Sequence, residues 1–384
     1  MKQKLLAVLA AFALCLNLAG CHVSTPASVG YIGDVEISAG IYLISQFQAY
    51  QTVLGYANTE QSEMSVSKFL KETVYVAEDG TVAPEPVEGE EQTGEARSVS
   101  DFVASETLAN LEYYAAVESL FAELGGELTE DNIATAQSYA DQLWEYYGDL
   151  YEANGIGEST LFAYQCTSVK NSLLLEMIYG ADGTEAVSDA DLTAFLDDEM
   201  IYGHYLSVPL YNTTDYTFAD ETQQEEIVAA LDDIISVFSA SMQADDTADA
   251  YSTFITALES GITAAYDVMG DTIDTSTISS SVVSDLYGYS TLAEYFDEDT
   301  LAQITSLGMN EAVSFTADYT SAMVFMRSDP IAAGYTIDDL RTTILYEMKS
   351  DIYIEKIEET GTALENSLDE SAVSKFPTKK IVAE

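Results

Sequence analysis

The sequence predicts a predominantly helical α+β protein. Three observations carry this: a long run of helical periodicity over residues 101–198, a block over 201–330 in which strand-like and helical stretches alternate, and an amphipathic stretch beginning at Ile337. The chain has 384 residues, of which 47% are hydrophobic and 11% aromatic, enough apolar material for a packed core. At roughly 100–200 residues per domain, that length corresponds to about two domains.

The charge is one-sided, with 13 Lys+Arg against 66 Asp+Glu and a formal net charge of −53. Nucleic-acid binding is excluded, because neutralising phosphates needs a concentrated cationic surface. Residues 171–326 contain no Lys or Arg at all, while carrying 29 Asp+Glu. The basic residues instead gather toward the C-terminus, among them Arg341, Lys349 and Lys356 on the last long helix. That helix is expected to return against an acidic body, although each exposed ion pair contributes only ~0–1 kcal/mol.

At the N-terminus, Lys2 and Lys4 precede an apolar stretch over residues 5–16 that is too short to span a bilayer. This is the pattern of an export signal. Leu18-Ala19-Gly20-Cys21 then has the small residues of a peptidase site followed by a thiol that accepts lipid, so residues 1–20 are expected to be removed and Cys21 to be the lipidated residue. The processed chain keeps 11 basic and 66 acidic residues, a formal charge of −55. Cys166 is then the only free thiol, and no internal disulfide is available.

Residues 22–28 form a short polar tether. Residues 29–37 have strand character with a turn at Gly33-Asp34, and Ser38 is placed to cap a helix running to Leu54. Residues 61–100 change to Glu, Gly, Pro and Thr, which predicts a surface excursion. A helix with Leu111, Tyr114, Ala115, Phe121 and Ala122 on one face is expected to stop at Gly125-Gly126. A second, with Ala140, Leu143, Trp144, Tyr147, Leu150 and Tyr151, ends at Asn154-Gly155. A third carries Phe162, Cys166, Val169, Leu173 and Met177, which makes Cys166 a core residue rather than a reactive one. Ser188 caps a fourth, with Asp189 and Asp191 favoured by the positive helix end.

Beyond Ile201 the expected elements are a strand over 201–211, helices over 222–242 and 248–266, a Ser/Thr-rich loop over 271–284, and a helix over 292–307. A hairpin from 312–316 and 321–327 follows. Ile337, Leu340, Ile344, Met348 and Ile352 mark the final amphipathic helix, and a basic tail over 375–380 ends the pattern.

Chemistry-bearing motifs are sparse. With only His22 and His204, no His-rich metal site is expected, and the acidic pairs lack the ligand spacing of a Ca²⁺ loop. No metal and no cofactor is therefore expected. Gly155-Ile156-Gly157 lacks a third Gly and marks a helix boundary rather than a nucleotide loop. His204, in Y-G-H-Y-L-S-V-P-L from Tyr202, is the candidate site residue. Its acidic sequence neighbourhood is expected to favour the protonated ring.

Several segments together resemble the SurA/PrsA group of exported foldases. V-G-Y-I-G-D-V-E-I-S from Val29 is similar to the strand and turn V-A-x-V-N-G-x-x-I-S that opens the SurA-type chaperone domain. A-N-L-E-Y-Y-A-A-V-E-S-L-F-A-E-L-G-G-E-L-T-E-D from Ala109 resembles that domain's second helix. V-S-D-A-D-L from Val187 and F-L-D-D-E from Phe195 are similar to the linker into a parvulin-type prolyl isomerase domain. Y-G-H-Y-L then falls where a parvulin strand reads K-H-I-L. The later parvulin strand bears a second His, whereas Ala322 stands near that position here, and the glycine-rich loop is replaced by D-T-I-D-T-S-T-I-S from Asp271.

The resemblance implies a signal peptide over 1–20, a tether over 21–28, a SurA-like helical chaperone domain over 29–200, a degenerate parvulin-like domain over 201–330, and a C-terminal helix over 331–384 returning to the chaperone domain. The implied function is that of an extracytoplasmic foldase or chaperone, anchored by Cys21 to the outer face of the bacterial cytoplasmic membrane. Its partners would be unfolded or partly folded exported proteins. Of the isomerase's catalytic set only His204 carries over, implying weak or no turnover. An active prolyl isomerase and a solute-binding lipoprotein are the alternatives; the latter should show repeated βαβ units.

Overall fold

The structure is a computed structural model that describes residues 27–77, 82–83, 94–245 and 247–383. The signal segment, Cys21 and His22 lie outside them. The chain divides into two units, one formed by the described parts of Met1–Leu174 and Ile354–Glu384, the other by Leu175–Tyr353. Helices dominate and the sheets are small and antiparallel, the expected fold class.

The first unit opens with the hairpin β1 (Ser28–Ile32) and β2 (Val35–Ser38). The register shifts between Ser28 and Gly30, where Gly30 takes φ +121°. A Cβ there would lie 2.5 Å from the Ser367 carbonyl oxygen, so glycine is what lets this strand approach its other neighbour. Ser38 caps α1 (Ala39–Gly55) by accepting the Ile41 N–H, as the sequence predicts.

Within the described residues of 61–100, three strands stand where only a surface excursion was expected. The strands β3 (Thr73–Val76), β4 (Val82–Ala83) and β5 (Glu95–Ser98) form a sheet of order β4-β3-β5, in which the β-favouring Tyr75 and Val76 pair on both sides. Helix α2 (Val99–Glu123) packs on α1, buries Leu111, Ala115 and Phe121, and stops before Gly125 at φ +72°. Helix α3 (Glu130–Ala153) buries Ala136 and Ala140, with Leu143, Trp144, Leu150 and Tyr151 half-buried on the same core and Tyr147 exposed.

Helix α4 (Glu158–Tyr179) runs from the first unit into the second. Its expected stripe is rotated: Phe162, Cys166, Val169, Leu173 and Met177 are half-buried, whereas Leu161, Leu174 and Ile178 are fully buried. Apolar residues flank both positions, and the packing partners decide which side turns inward.

In the second unit, Ser188 caps α5 (Asp189–Glu199), which leads into β6 (Met200–Pro209). Helices α6 (Glu221–Ala244) and α7 (Ala250–Val268) follow, then β7 (Val283–Gly288), α8 (Tyr289–Tyr295), α9 (Glu298–Thr305), β8 (Ala312–Thr316) and β9 (Ser321–Ser328). The strands form one antiparallel sheet of order β7-β6-β9-β8. Two differences from expectation lie here. The unexpected edge strand β7 starts at the last two residues of the Ser/Thr-rich loop and runs on to Gly288, and the helix expected over 292–307 breaks in two where Asp297 caps α9 by accepting the Thr300 N–H.

Side chains alternate across β6. Leu206 and Val208 join Val324 and Met326 in a core closed by α6 and α7 through Ile227, Leu231, Phe238, Phe254 and Ile262. By length and composition α6 is apolar enough to cross a membrane, but Ile227, Leu231, Ile234 and Phe238 are the buried stripe of this core. On the other face Ile201, Phe315 and Phe325 pack with Leu292, Ile304 and Leu307.

Helix α10 (Ile337–Ala363) leaves the second unit and enters the first. Its buried residues are Leu340, Ile344, Leu345, Tyr353 and Ile357, while Ile352 from the expected stripe is exposed. Arg341 is buried and bonds Asp189, Asp338 at 3.0 Å and the Val187 carbonyl at 3.4 Å. Lys349 lies 5.6 Å from the Tyr179 ring centre. In the first unit, β10 (Asn366–Leu368) then pairs with β1, completing a sheet of order β10-β1-β2, and Ala372 and Ile381 enter the core built by α1 and α2.

Candidate functional site

The geometry around His204 begins with Gly203. A Cβ at Gly203 would lie 2.1 Å from the Phe325 ring, so glycine leaves the space that ring occupies against the strand. His204 points to the opposite face and is only 3% exposed. Its Nδ1 is 2.7 Å from the Ser284 hydroxyl on β7, and its Nε2 is 2.7 Å from the Ser328 hydroxyl on β9. A neutral imidazole has one donor and one acceptor nitrogen, and a serine hydroxyl satisfies either.

The expected protonated ring is not what the structure supports. Burial pushes the His204 pKa down to about 4, and the opposing pull of the Asp249 carboxylate is smaller. Removing the ring from water disfavours its charged form more than one nearby carboxylate favours it. Asp249 itself caps α7, accepting the Ser252 N–H at 2.7 Å, and these hydrogen bonds hold its carboxyl below the usual range.

An aromatic wall surrounds the histidine. The Tyr202 ring meets His204 edge-on with centres 4.8 Å apart, Tyr251 is also 4.8 Å from His204, and Tyr335 is 5.7 Å from Tyr202. Burial, with the Tyr335 hydrogen bond second, pushes the Tyr202 phenol up to about 12. These groups line a cavity of about 610 Å³, together with Asp329 and Asn310.

Each ring nitrogen of His204 meets a serine hydroxyl rather than a carboxylate, so these groups do not form the carboxylate-oriented histidine of a Ser-His-Asp triad. The position near which the resemblance expects a second His is Ala322, which is fully buried and pairs with Val208, while Met326 stands opposite His204. What the cavity offers is shape, aromatic faces and fixed hydroxyls.

A second cavity, of about 890 Å³, lies within the first unit. Leu43 and Phe47 of α1 face Phe376, Pro377 and Ile381 of the returning C-terminal segment across it. Gln46 pins that segment by donating to the Phe376 carbonyl at 3.1 Å, and Asn154 exchanges two 2.9 Å bonds with the Val382 backbone. The sequence led to a C-terminal helix returning to the chaperone domain and to Asn154 as a helix end, but gave no signal that Leu43, Gln46 and Phe47 stand opposite Phe376 and Ile381.

Cys166 is half-buried, and burial pushes its thiol up despite Lys170. It therefore lacks the thiolate character of a reactive cysteine. Among the described residues, no group of three or more His, Cys, Asp or Glu is placed to hold a metal ion.

No family model and no curated protein matches the chain. Among solved structures, the chain is similar to the foldase protein PrsA from Streptococcus pneumoniae, at 14% identity and TM-score 0.37, covering 76% of this chain and 99% of that one. It is also similar to PrsA from Bacillus subtilis, at 12% identity and TM-score 0.27, covering 77% and 91%. At these values the likeness carries no functional inference.

Proposed function

We propose that the chain is a foldase or chaperone of exported polypeptides, anchored through Cys21 to the outer face of the bacterial cytoplasmic membrane. The first unit acts as a SurA-like chaperone domain that holds extended apolar segments, and the second as a parvulin-like domain of weak or no isomerase activity. The observation that carries this reading is the apolar cavity of the first unit, whose walls come from α1 and from the last residues of the chain. A cavity of that size, lined by Leu43, Phe47, Phe376 and Ile381, suits side chains of an unfolded client, and the acidic exterior keeps the complex soluble.

Low isomerase activity follows from His204 having both ring nitrogens occupied by serines. A prolyl amide in rotation needs donors aimed at it to lower a barrier of ~18–20 kcal/mol, and His204 has none free to offer. The second reading, an active isomerase, draws on the open aromatic cavity beside His204, where a prolyl ring would fit. All described strand pairs are antiparallel, so the βαβ units of a solute-binding lipoprotein are not seen among the described residues.

Two assays on one sample separate these readings. Light scattering of a denatured client should fall in the presence of the protein, and a proline-limited refolding reaction should run at the buffer rate with wild type and with His204→Ala alike. Undiminished scattering contradicts the chaperone reading. A refolding rate raised by wild type and lost in His204→Ala establishes the isomerase instead.

A further inference from the structure

The cavity beside His204 combines aromatic faces with uncompensated negative charge. Tyr202, Tyr251 and Tyr335 stand around it, and Asp249 and Asp329 also line it. Both carboxylates are fixed in place, Asp249 by the Ser252 N–H at 2.7 Å and Asp329 by the Ile331 N–H at 2.8 Å. Among the described residues neither takes part in an ion pair.

Among the described residues, no cation of the protein's own reaches this cavity. Residues 171–326 supply none, and no Lys or Arg lines it. Arg327, next in sequence to Ser328, is engaged elsewhere, donating from Nη1 to the Leu307 carbonyl at 3.0 Å. Arg341 is held by Asp189 and Asp338. Burial keeps His204 neutral down to about pH 4, so it adds no positive charge either.

We infer that this cavity receives a positively charged side chain, lysine or arginine, of an extended polypeptide, so that the second unit selects basic segments of its clients. The inference rests on the client-binding reading above and adds the class of segment bound. An ammonium or guanidinium over a tyrosine face is attracted by the ring's quadrupole, more strongly where water is partly excluded. A carboxylate at the same opening strengthens the attraction and favours encounter with cations over anions. Tyr335, 43% exposed, leaves the aromatic face accessible at the cavity mouth.

The test uses the full chain and two fluorescent eight-residue peptides, identical except that one carries a central lysine and the other norleucine. Fluorescence anisotropy should show the lysine peptide binding about five- to tenfold more tightly. That preference should fall to within about twofold in Asp249→Asn, where asparagine still caps the helix while the charge is gone, and in Tyr335→Leu. Circular dichroism checks that both variants keep the wild-type fold. Equal affinities for the two peptides in wild type overturn the inference, and so does a lysine preference that survives both substitutions, which would assign it to the general acidic surface. If neither peptide binds but client scattering is suppressed, the inference fails and the chaperone reading stands; if scattering is not suppressed either, both fail.

Discussion

Acidification should destabilise the second unit through a single histidine. In the unfolded chain His204 titrates near 6.5, whereas in the fold burial lowers its pKa to about 4. Above pH 6.5 neither state holds the proton and stability does not change with pH through this ring. As the pH falls below 6.5 the unfolded chain binds a proton that the folded ring refuses, so stability declines until about pH 4, where the folded ring protonates too. The fall from 6.5 to about 4 corresponds to about 3 kcal/mol, present in full above pH 6.5 and lost progressively down to about pH 4. Many carboxylates titrate toward the lower end of this window, so the quantity to measure is the difference between wild type and His204→Gln in urea unfolding across pH 4 to 7. The wild-type curve should fall by about 3 kcal/mol more than the variant's. The imidazole proton resonance gives the same answer directly, because the chain has only two histidines. Parallel stability curves, or a His204 resonance titrating between pH 6 and 7, would refute the reasoning.

Gly203→Ala should destabilise the same unit by about 1–3 kcal/mol, because its methyl would meet the buried Phe325 ring 2.1 Å away; an unchanged urea midpoint contradicts the packing described. Arg341→Met should lose about 2 kcal/mol, because it removes bonds to two carboxylates and the Val187 carbonyl while those carboxylates return to water; chemical unfolding of the variant checks this, and a loss below experimental error would show the pairing to be idle.

Legibility in the sequence followed the range of the physics involved. Local chemistry read through well: Ser38 and Ser188 cap the helices expected of them, Gly125 follows the end of α2, and the hairpin of β8 and β9 lies within one residue of expectation, because period-two alternation and cap geometry depend on near neighbours. Features fixed by distant partners did not. Strand β7 was not expected, because it is held by pairing with β6, and the inward face of α4 turned away from the predicted stripe because its neighbours decide its rotation. His204 shows the same limit at the site. Counting carboxylates along the chain suggested a protonated ring, but burial by Tyr202, Tyr251 and the sheet outweighs them, and no count along the sequence measures burial. Nor could the sequence pair Leu43 with Phe376, more than three hundred positions apart, across one cavity.

The claim on which the functional account depends is that the first unit grips unfolded polypeptide in the cavity between α1 and the end of the chain. A photo-crosslinking amino acid placed at Leu43, with a control at the exposed Asp299 of α9, tests it on the full chain in the presence of a denatured client. Crosslinking to client from position 43 and little from position 299 is the predicted result. Equal yields from both positions, or none from position 43 under conditions where the client is kept soluble, would contradict it.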